Sequence, residues 1–388
     1  MTANWLGWYL PKPLRRWYVF LPIDLLATLL LLLAVLAIWG STITAEPFYG
    51  RVGVADDVAR QVNHLSAVLD GAPLDIYRDY SLLCGAHVEW VPIYYMFYSM
   101  GLSEILAREP SRRDAILRQL NLCARGILRV PKDMPEADIP AYLQAKPTGT
   151  DPLMNGYVGV VLGLRRTASG DNLFDITHTR VVDALAQTIR ENCAQTRAVW
   201  TSDQATQLYA IWLYDRATGA DHTAVIQQWR RLMEERFIEP GTGLLVSHIA
   251  VNPDRYVSIP RGSSLAWTSI LLADVLPDFA RDQYARLCRH RQRRCLNFAA
   301  VTEYEPGNPL RFGDLDSGPL VFGFSPSASA FALGAHKLFG RPADFARGYR
   351  IFELFGKPQR TASVTSYYRG NAMGDAILLY AKAARPRN

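Results

Sequence analysis

Cysteine is scarce in this 388-residue chain: five thiols, at Cys84, Cys123, Cys193, Cys288 and Cys295, with no CxxC pair among them. That spacing argues against a zinc ribbon or a thioredoxin-type centre, and an odd count leaves one thiol unpaired if disulfides form. Cys288 and Cys295 could bridge in an oxidising compartment; two buried free thiols are the plainer alternative. Also missing are a GxSxG elbow, a Walker A loop, an HExxH pair and a dinucleotide fingerprint. Serine hydrolysis, phosphoryl transfer, zinc hydrolysis and hydride transfer therefore have no motif to rest on, and the expected chemistry is cofactor-free. Charge is thin too: the net +6 is dispersed rather than gathered into a stripe beside stacking aromatics, which argues against nucleic acid as a partner.

One long apolar run stands out. Residues 21–40 read LPIDLLATLLLLLAVLAIWG, whose one charge, Asp24, lies near an end. About twenty such residues span a bilayer. Lys12, Arg15 and Arg16 precede the run and the first charge after it is Glu46, so the basic flank is expected to stay cytoplasmic and the bulk to be exported. A cleaved signal peptide is the rival, but the run is long for one and GSTITAEP is only a fair cleavage site. The expected organisation is an interfacial N-terminus over 1–17, a signal anchor over 18–40 and an exported domain over 41–388, in a bacterial inner membrane with the domain in the periplasm.

After residue 45 the dominant period is helical. Twelve helices are expected near 53–70, 86–108, 111–127, 152–167, 176–192, 202–218, 221–236, 263–275, 277–290, 317–338, 341–356 and 371–384. Connections leaving the second helix of each pair are mostly a few residues long, while those leading into it are mostly longer and rich in Pro, Gly and aromatics, as at 128–151, 237–262 and 291–316. Six pairs with short and long loops alternating predict an all-α (α/α)6 toroid, because an antiparallel ring puts every second loop on the same rim. The second helices are also the more apolar (YVGVVLGL, ATQLYAIWLY, SASAFALGA), as an inner ring requires. A four-helix bundle with a separate domain is the rival, but no flexible linker divides the chain after residue 50.

In that topology the N-termini of the inner helices share one cup. The residues leading into them are polar and aromatic: Tyr80, His87, Glu89 and Trp90; Asp151, Asn155 and Tyr157; Trp200, Ser202, Asp203 and Gln204; His248, Arg261 and Ser263; Asp314, Asp316 and Ser317; Tyr367, Tyr368, Arg369 and Asn371. Taken singly, Ser202, Asp203, Asp316 and Ser317 are ordinary helix caps, and a lone loop histidine such as His248 is more often structural than catalytic. Capping does not explain two carboxylates in DLDSGP or tyrosines at three rims, so a polar pocket is expected. Asp203, Asp314, Asp316 and Glu89 offer general acids and bases if burial separates their pKa values, with His248 and Tyr157 beside them. Tyr80, Glu89, Trp90, Asn155, Trp200, Gln204, Arg261 and Tyr368 are the expected substrate contacts.

The stretches GTDPLMNGYVGVVLGL, LYAIWLYDRATGADHTAVIQQW with FIEPGTGLLVSH, and SSLAWTSILLADVLPDFARDQY, with weaker echoes at FYSMGL and GFSPSASAFALGAHKLFG, resemble linalool dehydratase/isomerase. The similarity covers most of residues 55–385. It implies a bacterial periplasmic (α/α)6 barrel that hydrates, dehydrates and isomerises monoterpene alcohols and alkenes. That family uses a pair of cysteines before the third inner helix, supported by a histidine, an aspartate and tyrosines. Here Asp203 stands at one cysteine position and Tyr157 at a histidine position, Cys193 lies near the second cysteine, Tyr80 and Asp75 fall near the family's tyrosine and aspartate, and His248 matches a rim histidine.

The leading expectation is thus a membrane-anchored lyase or isomerase acting by acid and base catalysis on a hydroxylated or unsaturated, terpenoid- or lipid-like molecule. A glycan-modifying toroid, with the aromatics as stacking platforms, is a second expectation. A non-catalytic binding subunit of a membrane complex, or a homo-oligomer, is a third.

Overall fold

The computed structural model describes residues 12–49, 53–70, 91–129, 152–195, 199–249, 259–308, 313–314, 317–367 and 371–387. They are mostly helical. Among the described residues a long first helix, α1 (Lys12–Thr42), precedes twelve others: α2 (Asp56–Asp70), α3 (Val91–Arg108), α4 (Arg113–Arg129), α5 (Pro152–Ser169), α6 (Asp175–Gln195), α7 (Thr201–Thr218), α8 (Thr223–Arg236), α9 (Gly262–Leu271), α10 (Pro277–His290), α11 (Pro326–Leu338), α12 (Pro342–Phe355) and α13 (Ala372–Ala383). Three small antiparallel pairs punctuate them: β1 (Val199–Trp200) with β2 (His248–Ile249), β3 (Gln292–Cys295) with β4 (Phe298–Val301), and β5 (Pro358–Arg360) with β6 (Thr365–Tyr367). Among the described residues α1 is the one helix long and apolar enough to cross a membrane, and from Asp24 to Trp39 little of it is buried.

Local chemistry sets the boundaries. Asn371 caps α13, its Oδ1 accepting from Gly374 N at 2.8 Å, and Ser325 caps α11 through Ala328 N at 3.1 Å. Gly219 closes α7 in the left-handed conformation that lacks a Cβ penalty only for glycine. Two expected boundaries differ from the structure, the first being the helix anticipated from residue 317, which begins at Pro326. Ser317 therefore caps no helix. Gly318, Phe322 and Gly323 all have positive φ, which breaks the helical path there, and Ser317 instead closes a turn with Asp314. The helix expected over 263–275 also stops early, at Leu271. The start of the helix expected at 86 lies outside the described residues, as far as Val91.

Two classes of helix are evident. Helices α3, α5, α7, α9, α11 and α13 are buried on nearly every side, whereas α4, α10 and α12 bury one face. Within the buried set α3 packs on α5, α5 on α7, α7 on α9, α9 on α11, α11 on α13 and α13 on α3. Small residues permit the closest of these approaches: a Cβ on Gly159 or Gly163 of α5 would lie 2.8 or 2.7 Å from the Cβ of Ala210 or Leu213 on α7. Aromatic rings from the same helices meet in the core. Phe97 of α3 lies 5.2 Å from Trp267 of α9, 5.7 Å from Phe331 of α11 and 5.7 Å from Tyr380 of α13. Tyr157 of α5 completes the group 6.3 Å from Trp267, whose indole N–H donates to Thr206 Oγ1 of α7 at 3.0 Å.

A short turn, Glu46–Tyr49, joins α1 to the domain. Phe48 is buried edge-on against Phe345 and Tyr349, and the fully buried Lys337 ammonium donates to the Phe48 carbonyl. Cys123, Cys193, Cys288 and Cys295 are all free, so Cys288 and Cys295 form no bridge; Cys84 lies outside the described residues.

Candidate active site at the N-termini of helices α7 and α9

The β1–β2 pair sets Trp200 directly opposite His248, so the residue preceding α7 and the loop before α9 share a wall. Their rings sit 4.7 Å apart. Thr201, the first residue of α7, ties the same wall by donating through Oγ1 to Val246 O at 2.8 Å. Ser247 Oγ in turn accepts from Arg261 N at 2.7 Å, which brings the start of α9 alongside.

The start of α9 is built around a carboxylate from elsewhere. Glu303, beyond β4, is wholly buried and accepts from Arg261 Nε at 2.7 Å, Ser263 Oγ at 2.6 Å and Ser263 N at 3.1 Å, while its carbonyl accepts from Gly262 N at 2.8 Å. An acid at a helix N-terminus satisfies amides that lack partners within the helix and faces the positive end of its dipole. The close approach needs glycine at 262, where a Cβ would fall 2.3 Å from Thr302 O. Arg261 then reaches outward, its Nη2 donating to Asp314 Oδ1 at 2.7 Å and its guanidinium lying over the rings of Trp200 at 5.5 Å and Tyr304 at 5.8 Å.

Electrostatics follow from this arrangement. Burial alone would loosen the Arg261 proton, but the charges of Glu303 and Asp314 outweigh it and hold the guanidinium more firmly charged than usual. Partial burial likewise pushes the Asp314 carboxyl up, and the Ser317 amide and Arg261 overcome it, so Asp314 sits below the ordinary carboxylate range. Asp314 is therefore an ionised acceptor at neutral pH rather than a proton donor. Desolvation lowers the His248 pKa, which leaves a neutral imidazole able to take a proton.

Of the residues singled out from the sequence, the structure brings Trp200, His248, Arg261 and Asp314 together. Asp203 lies in the first turn of α7, three residues past Trp200, where it accepts a long bond of 3.4 Å from Ser202 Oγ. Asn155 and Tyr157 are buried in the first turns of α5, Tyr157 against the aromatic core. The Gln204 carbonyl is committed to the outer layer, accepting from the buried Trp229 indole of α8 at 2.8 Å. Asn371 is a cap, and Tyr367 is buried with its hydroxyl donating to Glu353 at 3.1 Å. Tyr80, Glu89, Trp90, Asp316 and Tyr368 lie outside the described residues.

Sequence reasoning missed Glu303, Tyr304 and Ser247. A signal was present: Glu303 follows the apolar run FAAVT, and a carboxylate joined to a buried strand demands a cationic or amide partner. Among the described residues no group of three or more His, Cys, Asp or Glu side chains is arranged to hold a metal. No family model matches the chain.

Proposed function

We propose that the domain is an (α/α)6 barrel of the linalool dehydratase/isomerase-like kind, held in the periplasm by a bacterial inner-membrane anchor, and that it is a lyase or isomerase acting on a hydroxylated or unsaturated terpenoid- or lipid-like molecule. The barrel reading is supported by the unbroken succession of contacts through α3, α5, α7, α9, α11, α13 and back to α3.

What supports the chemistry is that an aromatic cluster lies within the first two turns of α3, α5, α9 and α11, while a charged cluster gathers at the N-termini of α7 and α9. Tyr157, Trp267, Phe331 and Phe97 present rings suited to a hydrocarbon, and such rings stabilise positive charge that develops as a hydroxyl leaves. In the forward direction a donor protonates the hydroxyl, the C–O bond breaks to release water, and a base takes a proton from the neighbouring carbon to leave the alkene. Asp203 and Tyr157 are assigned to the oxygen, and the neutral His248 imidazole to the carbon-bound proton. Arg261, fixed by Glu303 and Asp314, orients the hydroxyl end.

The test is turnover of allylic alcohols and their alkenes by the purified full-length protein. Asp203→Asn is expected to lower the rate by about 10²-fold or more with little change in melting temperature; unchanged turnover in that variant would refute the assignment. The partly exposed Trp200 ring beside Arg261 and Asp314 also suits a sugar. Release of saccharides from an envelope glycan, with no alcohol turnover, would select that second reading.

A further inference from the structure

The junction between α1 and the domain is a built contact. Asn297, in the turn of the β3–β4 hairpin, donates through Nδ2 to Ala37 O at 2.9 Å. Gly40 is buried on the Phe298 ring, which a Cβ would approach to 3.1 Å. Arg350 of α12 donates to Ile43 O at 3.2 Å and to Asn297 O at 3.0 Å, closing the contact from the far side. Ala37 lies five residues inside the end of α1, about 8 Å along the axis at 1.5 Å per residue. The hairpin tip therefore stands beside the last apolar turns of the helix rather than beyond them.

What the tip carries is unusual for a turn in water. Leu296 is half exposed and has φ of 50°, a conformation that glycine or asparagine adopts at lower cost. Around it cations outnumber acids. Arg294, Arg341 and Arg347 all pair with the single buried carboxylate of Asp344, at 2.6, 3.2 and 3.7 Å, and Arg350 adds a fourth guanidinium bound to carbonyls. The nearby acids do not balance them: Glu46 is one charge, and Glu353, a turn beyond Arg350, is taken by Arg360.

We propose that this face is a second membrane contact, with Leu296 in the interfacial layer and the Arg294, Arg341, Arg347 and Arg350 cluster on anionic phospholipid headgroups; the assignment rests on α1 being a membrane anchor. Continuity with α1 puts the patch at the bilayer surface, and its charge complements a phosphate-rich layer. Leu296 gains there what it lacks in water, an apolar surrounding. The hairpin thereby couples the membrane to the site, since β4 leads from the tip to Glu303, which organises Arg261.

The experiment reconstitutes the full-length protein in nanodiscs containing phosphatidylglycerol with a photoreactive diazirine near its headgroup, and maps adducts by peptide mass spectrometry. Adducts on peptides covering 292–298 and 341–350, besides those on the N-terminal helix, are expected. Replacing the anionic lipid by phosphatidylcholine carrying the same probe is expected to cut labelling of 341–350 by about fivefold or more, while 292–298 is retained. The double variant Arg341→Gln/Arg347→Gln should reproduce that loss in phosphatidylglycerol. Adducts confined to the N-terminal helix, or equal labelling of 341–350 in both lipids, would overturn the proposal with the anchor intact. Absence of adducts on the N-terminal helix itself would instead bring down the anchor reading on which it rests.

Discussion

Glu303 shows how one residue can organise a site without facing solvent. It has no exposed surface and accepts three donors from its side chain, so removing it strands the Arg261 guanidinium and the α9 amides together. Glu303→Ala is expected to cost about 3 to 5 kcal/mol in denaturant unfolding, the range for breaking a buried ion pair. Asp314, whose side chain is 44% exposed, holds the same arginine from the solvent side, and Asp314→Asn should cost less than about 1 kcal/mol. Equal losses would show that the two carboxylates share the load. At this scale the sequence was partly legible. Arg261 and Trp200 were readable because polar and aromatic residues directly precede the apolar helices α9 and α7, whereas His248 and Asp314 lie on connecting segments, Asp314 well before α11 begins at Pro326. Glu303 was harder to read: the apolar run before it marks a carboxylate that needs a partner, but that partner lies 42 positions away and nothing local says which residue it is. Gln204 lies in the first turn of α7, with its carbonyl accepting from the Trp229 indole of the outer layer.

Among the elements, the helices were the most legible, since an apolar repeat of 3.6 residues depends only on nearby sequence. The helix expected from residue 317 overran its local signals: Gly318, Pro319 and Gly323 are the poorest helix formers, and the apolar Leu320, Val321, Phe322 and Phe324 between them only extend the apolar pattern of α11. Pairing of α5 with α7 depends on glycine rather than on pattern. Gly159→Ala and Gly163→Ala gain helix propensity, roughly 1 kcal/mol each, yet force a methyl to within 3 Å of α7. Each is expected to lower stability by about 1 to 3 kcal/mol, measured by chemical denaturation. The link from α1 carries a pH signature. Burial depresses the Lys337 ammonium to about 7, against an unfolded value near 10.4. Between those pH values the unfolded chain holds more protons than the folded one, so this lysine penalises folding below pH 7 and the penalty fades as pH rises towards 10. Comparing denaturation midpoints at pH 7.5 and 9.5, the wild type should gain on Lys337→Met as pH rises; parallel behaviour of the two would contradict the burial of a charged amine there.

For the whole molecule, the order of contacts matters more than any single helix. Sequence spacing foretold which helices are buried, because short and long connections alternate, but it gave no hint that β3–β4 would reach from the junction with α1 to the candidate site. Such a span depends on tertiary packing, to which no local pattern points. The central claim is that water leaves and rejoins a carbon skeleton beside the aromatic cluster. Oxygen exchange tests it most directly: an unsaturated alcohol incubated with the full-length protein in water enriched in oxygen-18, then recovered and weighed by mass spectrometry. Incorporation of the heavy oxygen that Asp203→Asn abolishes is the expected result. Recovered alcohol no heavier than in a protein-free control, across a panel of allylic alcohols, would contradict the account.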